Sequence, residues 1–231
     1  MTVSRSLPSD WPKRSQLSER SLEESDEYRW LARIYDPITG PFLNAIRRYV
    51  AEMIRKAGYG KVLDLCCGTG RQCILLHSMG VCAVGVDLSR AMLSVAKEKS
   101  PSFIPYIRQD VANLGFRDNC FEAIIICLAL HEKPSGKREA ILEQAVRVLA
   151  PGGRLYLLDF ASPAGPAGRA MRLGIAGVER LAGRDHYANY RSYIRAGGMS
   201  GVTAGFPLKR EKGGIYFWRG NMELVVLSPQ K

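Results

Sequence analysis

Nine residues, Val62-Leu63-Asp64-Leu65-Cys66-Cys67-Gly68-Thr69-Gly70, restrict the folds open to this chain more than any others. They read as a short buried strand ending in an acid, a tight turn on two glycines, and a helix starting near Arg71. Gly68 and Gly70 tolerate positive φ and let a ligand come close to the main chain. The first turn of the next helix offers free N–H groups at the same place. A strand-turn-helix of this kind belongs to an α/β domain and marks a ligand cradle.

The pattern around it alternates. Strands are predicted over 61–65, 81–86, 103–108, 123–128 and 154–160. Helices are predicted over 71–79, over 90–99 with Ser89 as cap, and over 136–149 with Ser135 as cap. Pro151-Gly152-Gly153 reads as a turn. The β-α-β order implies a doubly wound, Rossmann-like parallel sheet with right-handed crossovers. Such sheets bind ligands at the carboxyl ends of their strands. Asp64, Asp87, Asp110 and Asp159 all fall at or just past strand ends.

The flanks differ. Residues 1–25 are polar and read as a disordered or loosely attached segment. The rest, 26–231, reads as one domain. It comprises an N-terminal helical cap (26–58), a cofactor-binding core (61–160), a helical cover (162–200) and a closing β-pair (202–227). In the cap, Asp36-Pro37 is expected to interrupt the helical pattern. A second helix over 41–57 then shows Phe42, Ile46, Val50 and Met53 or Ile54 on one face, with Arg47 and Arg48 away from it. In the cover, Met171, Ile175, Val178 and Leu181 mark one helical face, and Tyr187, Tyr190 and Ile194 suggest a second short helix. The closing pair is expected over 202–208 and 215–227.

Composition narrows the classes. No apolar run approaches the roughly 20 residues of a membrane-spanning helix, and no apolar signal-peptide core follows the N-terminus; the expectation is a cytoplasmic protein. Six cysteines occur without a C-x-x-C pair. They read as small buried hydrophobes in a reducing compartment, and no metal site is expected. The net charge is +11, and residues 166–231 hold 11 Lys/Arg against four Asp/Glu. That basic quarter suits nucleic acid, an anionic membrane surface or an acidic substrate.

The glycine turn discriminates between ligands. A dinucleotide site favours G-x-G-x-x-G, and here the third position is Cys73. S-adenosylmethionine carries no pyrophosphate and does not need that glycine. Asp64 suits the ammonium of its amino-acid head, and Thr69 offers a hydroxyl and an N–H to its carboxylate. Asp87 can accept from both ribose hydroxyls. Asp110 can accept from the adenine amine while the Val111 N–H donates to a ring nitrogen. Each acid, taken alone, also reads as a helix cap or a solvated loop residue.

Four ordered motifs carry a resemblance: Val-Leu-Asp-Leu-Cys-Cys-Gly-Thr-Gly (62–70), Val-Gly-Val-Asp-Leu-Ser (84–89), Gln-Asp-Val (109–111) and Arg-Val-Leu-Ala-Pro-Gly-Gly-Arg-Leu (147–155). Together they resemble the class I S-adenosylmethionine-dependent methyltransferases. Cys-Cys-Gly-Thr-Gly and Leu-Asp-Phe-Ala-Ser-Pro (158–163) resemble, within that class, the ubiquinone/menaquinone biosynthesis C-methyltransferases. The resemblance implies a seven-stranded sheet whose last strand is antiparallel, and S-adenosyl-L-methionine as cofactor. It also implies cofactor contacts by Asp64, Gly68, Thr69, Asp87, Asp110, Val111 and Cys127, with Gly70, Leu88 and Met92 beside them. Tyr35 is expected to close over the cofactor and face the sulfonium.

Methyl transfer needs alignment and exclusion of water, and some acceptors also need a base. His131, just past the fourth predicted strand, is the candidate base or substrate contact; it reads equally as a polar loop residue bonded to Glu132. His186, Tyr187 and Tyr190 either line the acceptor side or are ordinary aromatics of the cover. The expected acceptor is a small, lipophilic molecule such as a quinone precursor, with a phospholipid or another N- or O-acceptor as alternative. Arg169, Arg172 and Arg180 suit peripheral contact with an anionic membrane. Rival readings are a nicotinamide oxidoreductase, a non-catalytic cofactor-binding protein, and a nucleic-acid methyltransferase. The last lacks an Asn/Asp-Pro-Pro-aromatic motif after the fourth strand, so no nucleic-acid partner is expected.

Overall fold

The structure, a computed structural model, describes residues 32–163, 165–181, 183–211 and 213–230. The proposed disorder of 1–25 therefore lies outside the described residues. In chain order the elements are α1 (Ala32–Lys56), β1 (Lys61–Leu65), α2 (Arg71–Ser78), β2 (Cys82–Asp87), α3 (Arg90–Lys99), β3 (Tyr106–Arg108), β4 (Phe121–Cys127), α4 (Ser135–Val148) and β5 (Leu149–Phe160). There follow α5 (Pro166–Leu181), α6 (Arg184–Arg195), α7 (Gly198–Thr203), β6 (Leu208–Arg210), β7 (Ile215–Phe217), a 3-10 turn (Trp218–Gly220) and β8 (Met222–Pro229).

The sheet order is β3-β2-β1-β4-β5-β8-β6, with β7 also on β8. The strands from β3 to β5 pair in parallel, and β8 runs antiparallel to β5 and β6. Chain order reverses between β1 and β4, so the crevice at the carboxyl ends of those two strands is the binding position. β1 and β4 are central and covered on both faces. Leu63, Leu65, Ile124, Ile125 and Ile126 are essentially inaccessible to solvent. The expected seven strands become eight because β6 and β7 share one edge of β8, pairing with Leu227–Pro229 and Met222–Leu224 in turn.

Several expectations are corrected. The cap is one helix, not two, with Pro37 and Pro41 inside it. Each proline removes an N–H, yet packing on both sides holds the axis. Ala32 and Tyr35 pack with Met92 and Val95, while Leu43, Ile46, Val50 and Ile54 enter the main core. β3 starts only at Tyr106, because Pro105 offers the ladder a carbonyl and no donor. Ser135 is the first residue of α4 and Pro134 is its cap. Pro151-Gly152-Gly153 bulges out within β5, where pairing steps from Phe121–Leu149 to Ala123–Arg154. Of the strand expected over 202–208, Val202 and Thr203 instead end helix α7, entered through left-handed Gly197 and Gly198, and β6 starts only at Leu208. The long last strand is broken by left-handed Trp218 and Arg219.

The cover helix is turned around. In α5 the stripe facing the protein is Gly168, Arg172, Ile175, Ala176 and Glu179. Met171, Leu173, Val178 and Leu181 are 41%, 76%, 65% and 89% exposed. The expected apolar face is thus directed largely to solvent, and a charged seam packs inward.

Candidate active site

A cleft of about 510 Å³, open to solvent, lies over the carboxyl ends of β1 and β4. Its floor is backbone in a strained shape. Cys66 and Leu128, one past each strand, have φ of 57° and 52°. Non-glycine residues reach this left-handed region at a cost of about 1–3 kcal/mol each. Gly68 and Gly70 follow at 52° and 73°. A Cβ on Gly68 would meet nothing within 4 Å, so the main chain there faces open space. A Cβ on Gly70 would come within 2.2 Å of the Tyr106 hydroxyl.

The polar groups of the cleft suit a zwitterion. Asp64 is 2% exposed, and the Cys73 thiol donates to its Oδ2 at 3.5 Å. Burial pushes the Asp64 carboxyl up to about 7, opposed by that hydrogen bond and by Arg47. Gln72 is buried beside it, and its Oε1 has no hydrogen-bond partner. Arg47 lines the same cleft from α1. An ammonium is matched by Asp64 and Gln72 Oε1, and a carboxylate by Arg47.

Asp87 fixes the turn. Its Oδ2 accepts from Gly68 N–H at 2.8 Å and its Oδ1 from Ser89 N–H at 2.9 Å. Burial raises its pKa, and the two amides oppose the rise. Ser89 caps α3 as expected, accepting from Met92 N–H at 3.0 Å.

Of the residues singled out in the sequence, Tyr35, Asp64, Gly68, Thr69 and Cys127 line the cleft. Burial pushes the Tyr35 hydroxyl up to about 12, so it stays neutral. Thr69 does not present its hydroxyl to the cleft; it donates to Asp36 Oδ1 at 2.6 Å. Gly70 packs on Tyr106. Leu88 is partly exposed, and Met92 and Val111 are buried. Asp110 is engaged at both oxygens, accepting from Ala112 N–H at 2.9 Å and from Lys137. The residues missed were Arg47 and Gln72. Arg47 stands one turn after Leu43 on the inward side of α1, and that spacing was the available signal.

His131 is not part of the cleft wall. It is 5% exposed and sits between two carboxylates. Nδ1 lies 2.7 Å from Asp159 Oδ1, and Nε2 lies 3.6 Å from Glu179 Oε2. Asp159 Oδ2 also accepts from the amides of Leu130 and His131, which fixes the loop after β4. Burial lowers the imidazole pKa, but Asp159, Glu179 and Glu132 outweigh it and bring it up to about 9. The ring packs edge-on against Phe160 at 4.7 Å and Tyr190 at 6.3 Å. Tyr190 is buried and Tyr187 is partly so.

An open sheet with this strand order, a glycine turn and a zwitterion-matched crevice is the architecture of a class I methyltransferase. Comparison with known proteins agrees. A family model described as "Methyltransferase domain" matches residues 62–153. A demethylmenaquinone methyltransferase of Paenarthrobacter aurescens is 35% identical over 161 residues, covering 68% of this chain and 62% of that protein. One of Staphylococcus epidermidis is 30% identical over 189 residues, covering 79% and 76%. Two solved structures share the fold. Magnesium protoporphyrin IX methyltransferase from Synechocystis with bound SAH has a TM-score of 0.58 at 19% identity, covering 82% of this chain and 83% of that one. A Pyrococcus horikoshii protein has a TM-score of 0.62 at 19% identity, covering 82% and 92%. The chain belongs to the class I S-adenosylmethionine-dependent methyltransferases, in the menaquinone-type group. Its match spans less than two thirds of the Paenarthrobacter relative. S-adenosylmethionine is the cofactor of that family.

Proposed function

We propose that this chain methylates a lipophilic, quinone-related acceptor, of the kind named in its demethylmenaquinone methyltransferase relatives. When bound, S-adenosylmethionine supplies a methyl group on a sulfonium, which leaves as a neutral thioether. The residues of this chain bind and align it. Asp64, Gln72 and Arg47 hold the amino-acid head, Gly68 and Gly70 shape the turn, and Cys127 and Tyr35 flank the donor side. Asp87 and Leu88 face the ribose, and Asp110, Val111 and Met92 bound the adenine. Asp87 keeps lone pairs for ribose hydroxyls beyond its two amide donors. His131, buried behind the cleft wall and held by Asp159, is the positioning residue of the acceptor side.

The observation that carries the acceptor class is the outward side of α5. Four exposed apolar side chains lie beside the exposed Arg169 and Arg180. That pairing fits an interfacial helix on an anionic bilayer, where a quinone acceptor resides. Among the described residues no helix is long and apolar enough to cross a membrane, and the contact proposed is peripheral. The test is transfer of radiolabelled methyl to demethylmenaquinol in anionic vesicles. Calorimetry with S-adenosylmethionine and with NAD accompanies it. Binding of NAD in place of S-adenosylmethionine would overturn the reading. Cofactor binding without label in any quinol would leave only the methyltransferase assignment.

A further inference from the structure

Beside the cleft, the loop after β4 and helices α5 and α6 bring together four side chains whose donor atoms suit a metal. His131 and Glu132 come from the loop, Glu179 from the last turn of α5 and His186 from the first turn of α6. One donor atom from each of His131, Glu132 and His186 lies within 4.8 Å of the other two. Glu179 Oε2 lies 2.7 Å from His186 Nε2 and 3.6 Å from His131 Nε2. Glu179 is only 8% exposed, and this oxygen has no hydrogen-bond partner despite the two nearby rings. A buried carboxylate oxygen between two imidazole nitrogens, without a donor aligned on it, calls for positive charge close by.

The surroundings agree. Asp159 lies at hydrogen-bond distance from His131 Nδ1. A hydrogen bond donated by Nδ1–H to Asp159 leaves the Nε2 lone pair for a metal, the carboxylate-imidazole-metal arrangement seen in many sites. Asp159, Glu132 and Glu179 put three carboxylates around two rings, and Lys133 answers Glu132 through Oε1 at 2.7 Å. The donor set is nitrogen and oxygen without sulfur. It is matched to a borderline ion of the zinc class and poorly to the all-oxygen demands of calcium or magnesium.

We propose that His131, Glu132 and His186 bind one divalent cation of the zinc class, with the Glu179 carboxylate adding negative charge beside them. The site pins α6 to the loop after β4. It also gives His131 its mode of action on the acceptor: the cation it holds would polarise an acceptor hydroxyl and favour loss of its proton to water. That second role rests on the proposed methyl transfer, whereas the binding itself does not.

The test titrates Zn²⁺ into the chelator-treated full chain by calorimetry, with Co²⁺ as a spectroscopic probe. The expected result is one Zn²⁺ per chain and a visible Co²⁺ band of low-symmetry nitrogen/oxygen coordination. His186→Gln, at the accessible end of the cluster, should weaken binding at least about tenfold. Glu132→Gln should do the same, while circular dichroism shows both variants folded. Absence of stoichiometric binding would overturn the proposal. So would binding that both variants leave unchanged, or a Co²⁺ spectrum dominated by thiolate charge transfer, which would place the ion on the cysteines. S-adenosylmethionine binding, measured on the same samples, separates the two readings. If it persists without zinc binding, only the cation site fails.

Discussion

Thr69 and Asp36, 33 positions apart, are joined by a 2.6 Å hydrogen bond from the threonine hydroxyl to the carboxylate, whose second oxygen meets Lys99 at 2.8 Å. The bond ties the proline-bearing start of α1 to the glycine turn, and Lys99 ties both to α3. The N-terminal helix is thereby latched over the cleft. Asp36→Ala should cost about 1–2 kcal/mol, in the range of a hydrogen bond to a partly buried charge. Hydrogen exchange should show faster opening of residues 32–41. Cofactor affinity should fall by about tenfold, and unchanged exchange would remove the latch.

Asp64 makes the free protein and the complex respond oppositely to pH. Its folded pKa, about 7, is above the ordinary 3.8. Between those values the folded state binds the extra proton, so stability falls as pH rises from about 4 to about 7. Bound ammonium favours the ionised carboxylate. Affinity for S-adenosylmethionine should therefore rise with pH and level off above about 7. In Asp64→Asn both dependences should flatten, with affinity about 10–100-fold lower. Thermal melts and calorimetry from pH 5 to 8 check this.

Gly70 is required on two counts. It has φ of 73°, and a Cβ would run into the Tyr106 ring and hydroxyl. Gly70→Ala should destabilise the chain by at least about 1–2 kcal/mol from the backbone term alone. Pairing it with Tyr106→Phe tests the clash. The shorter side chain relieves the contact with the hydroxyl but not that with the ring, so rescue should be partial in urea melts.

The exposed side of α5 predicts membrane behaviour. Leu173→Ser with Leu181→Ser removes about 0.8 kcal/mol of burial per CH₂ that would enter the interface. Sedimentation with anionic vesicles should drop several-fold at low salt. Binding of S-adenosylmethionine in solution should not change. Equal sedimentation of both proteins would show that this side does not meet lipid.

Legibility followed the physics of each region. The run 61–128 could be read because central parallel strands are continuous apolar stretches, and turns with positive φ need glycine. Asp64 and Gly68 were visible for that reason, and Cys127 only through the family resemblance. Arg47 and Gln72 were not, since a charged or amide residue on a helix reads as solvated until a neighbouring strand end supplies its partner. Glu179 was hidden more deeply. Its helix carries Met171, Val178 and Leu181 at apolar spacing, which pointed the core at the wrong side. Only tertiary pairing with His131 and His186 shows why an acid is inside. The joined prolines of α1 and the broken last strand likewise depend on packing that no local pattern encodes.

Cys66 and Leu128 end adjacent parallel strands in the same left-handed conformation. The contour of the cleft is accordingly written in main-chain torsions and held by the buried residues behind them, such as Leu65 and Ile126. Side-chain identity at 66 and 128 is then free to drift so long as the torsions survive, and glycine there would relieve strain while widening the ensemble of turn shapes. The methyl donor then meets a template of main chain, and acceptor choice falls to the cap and cover helices.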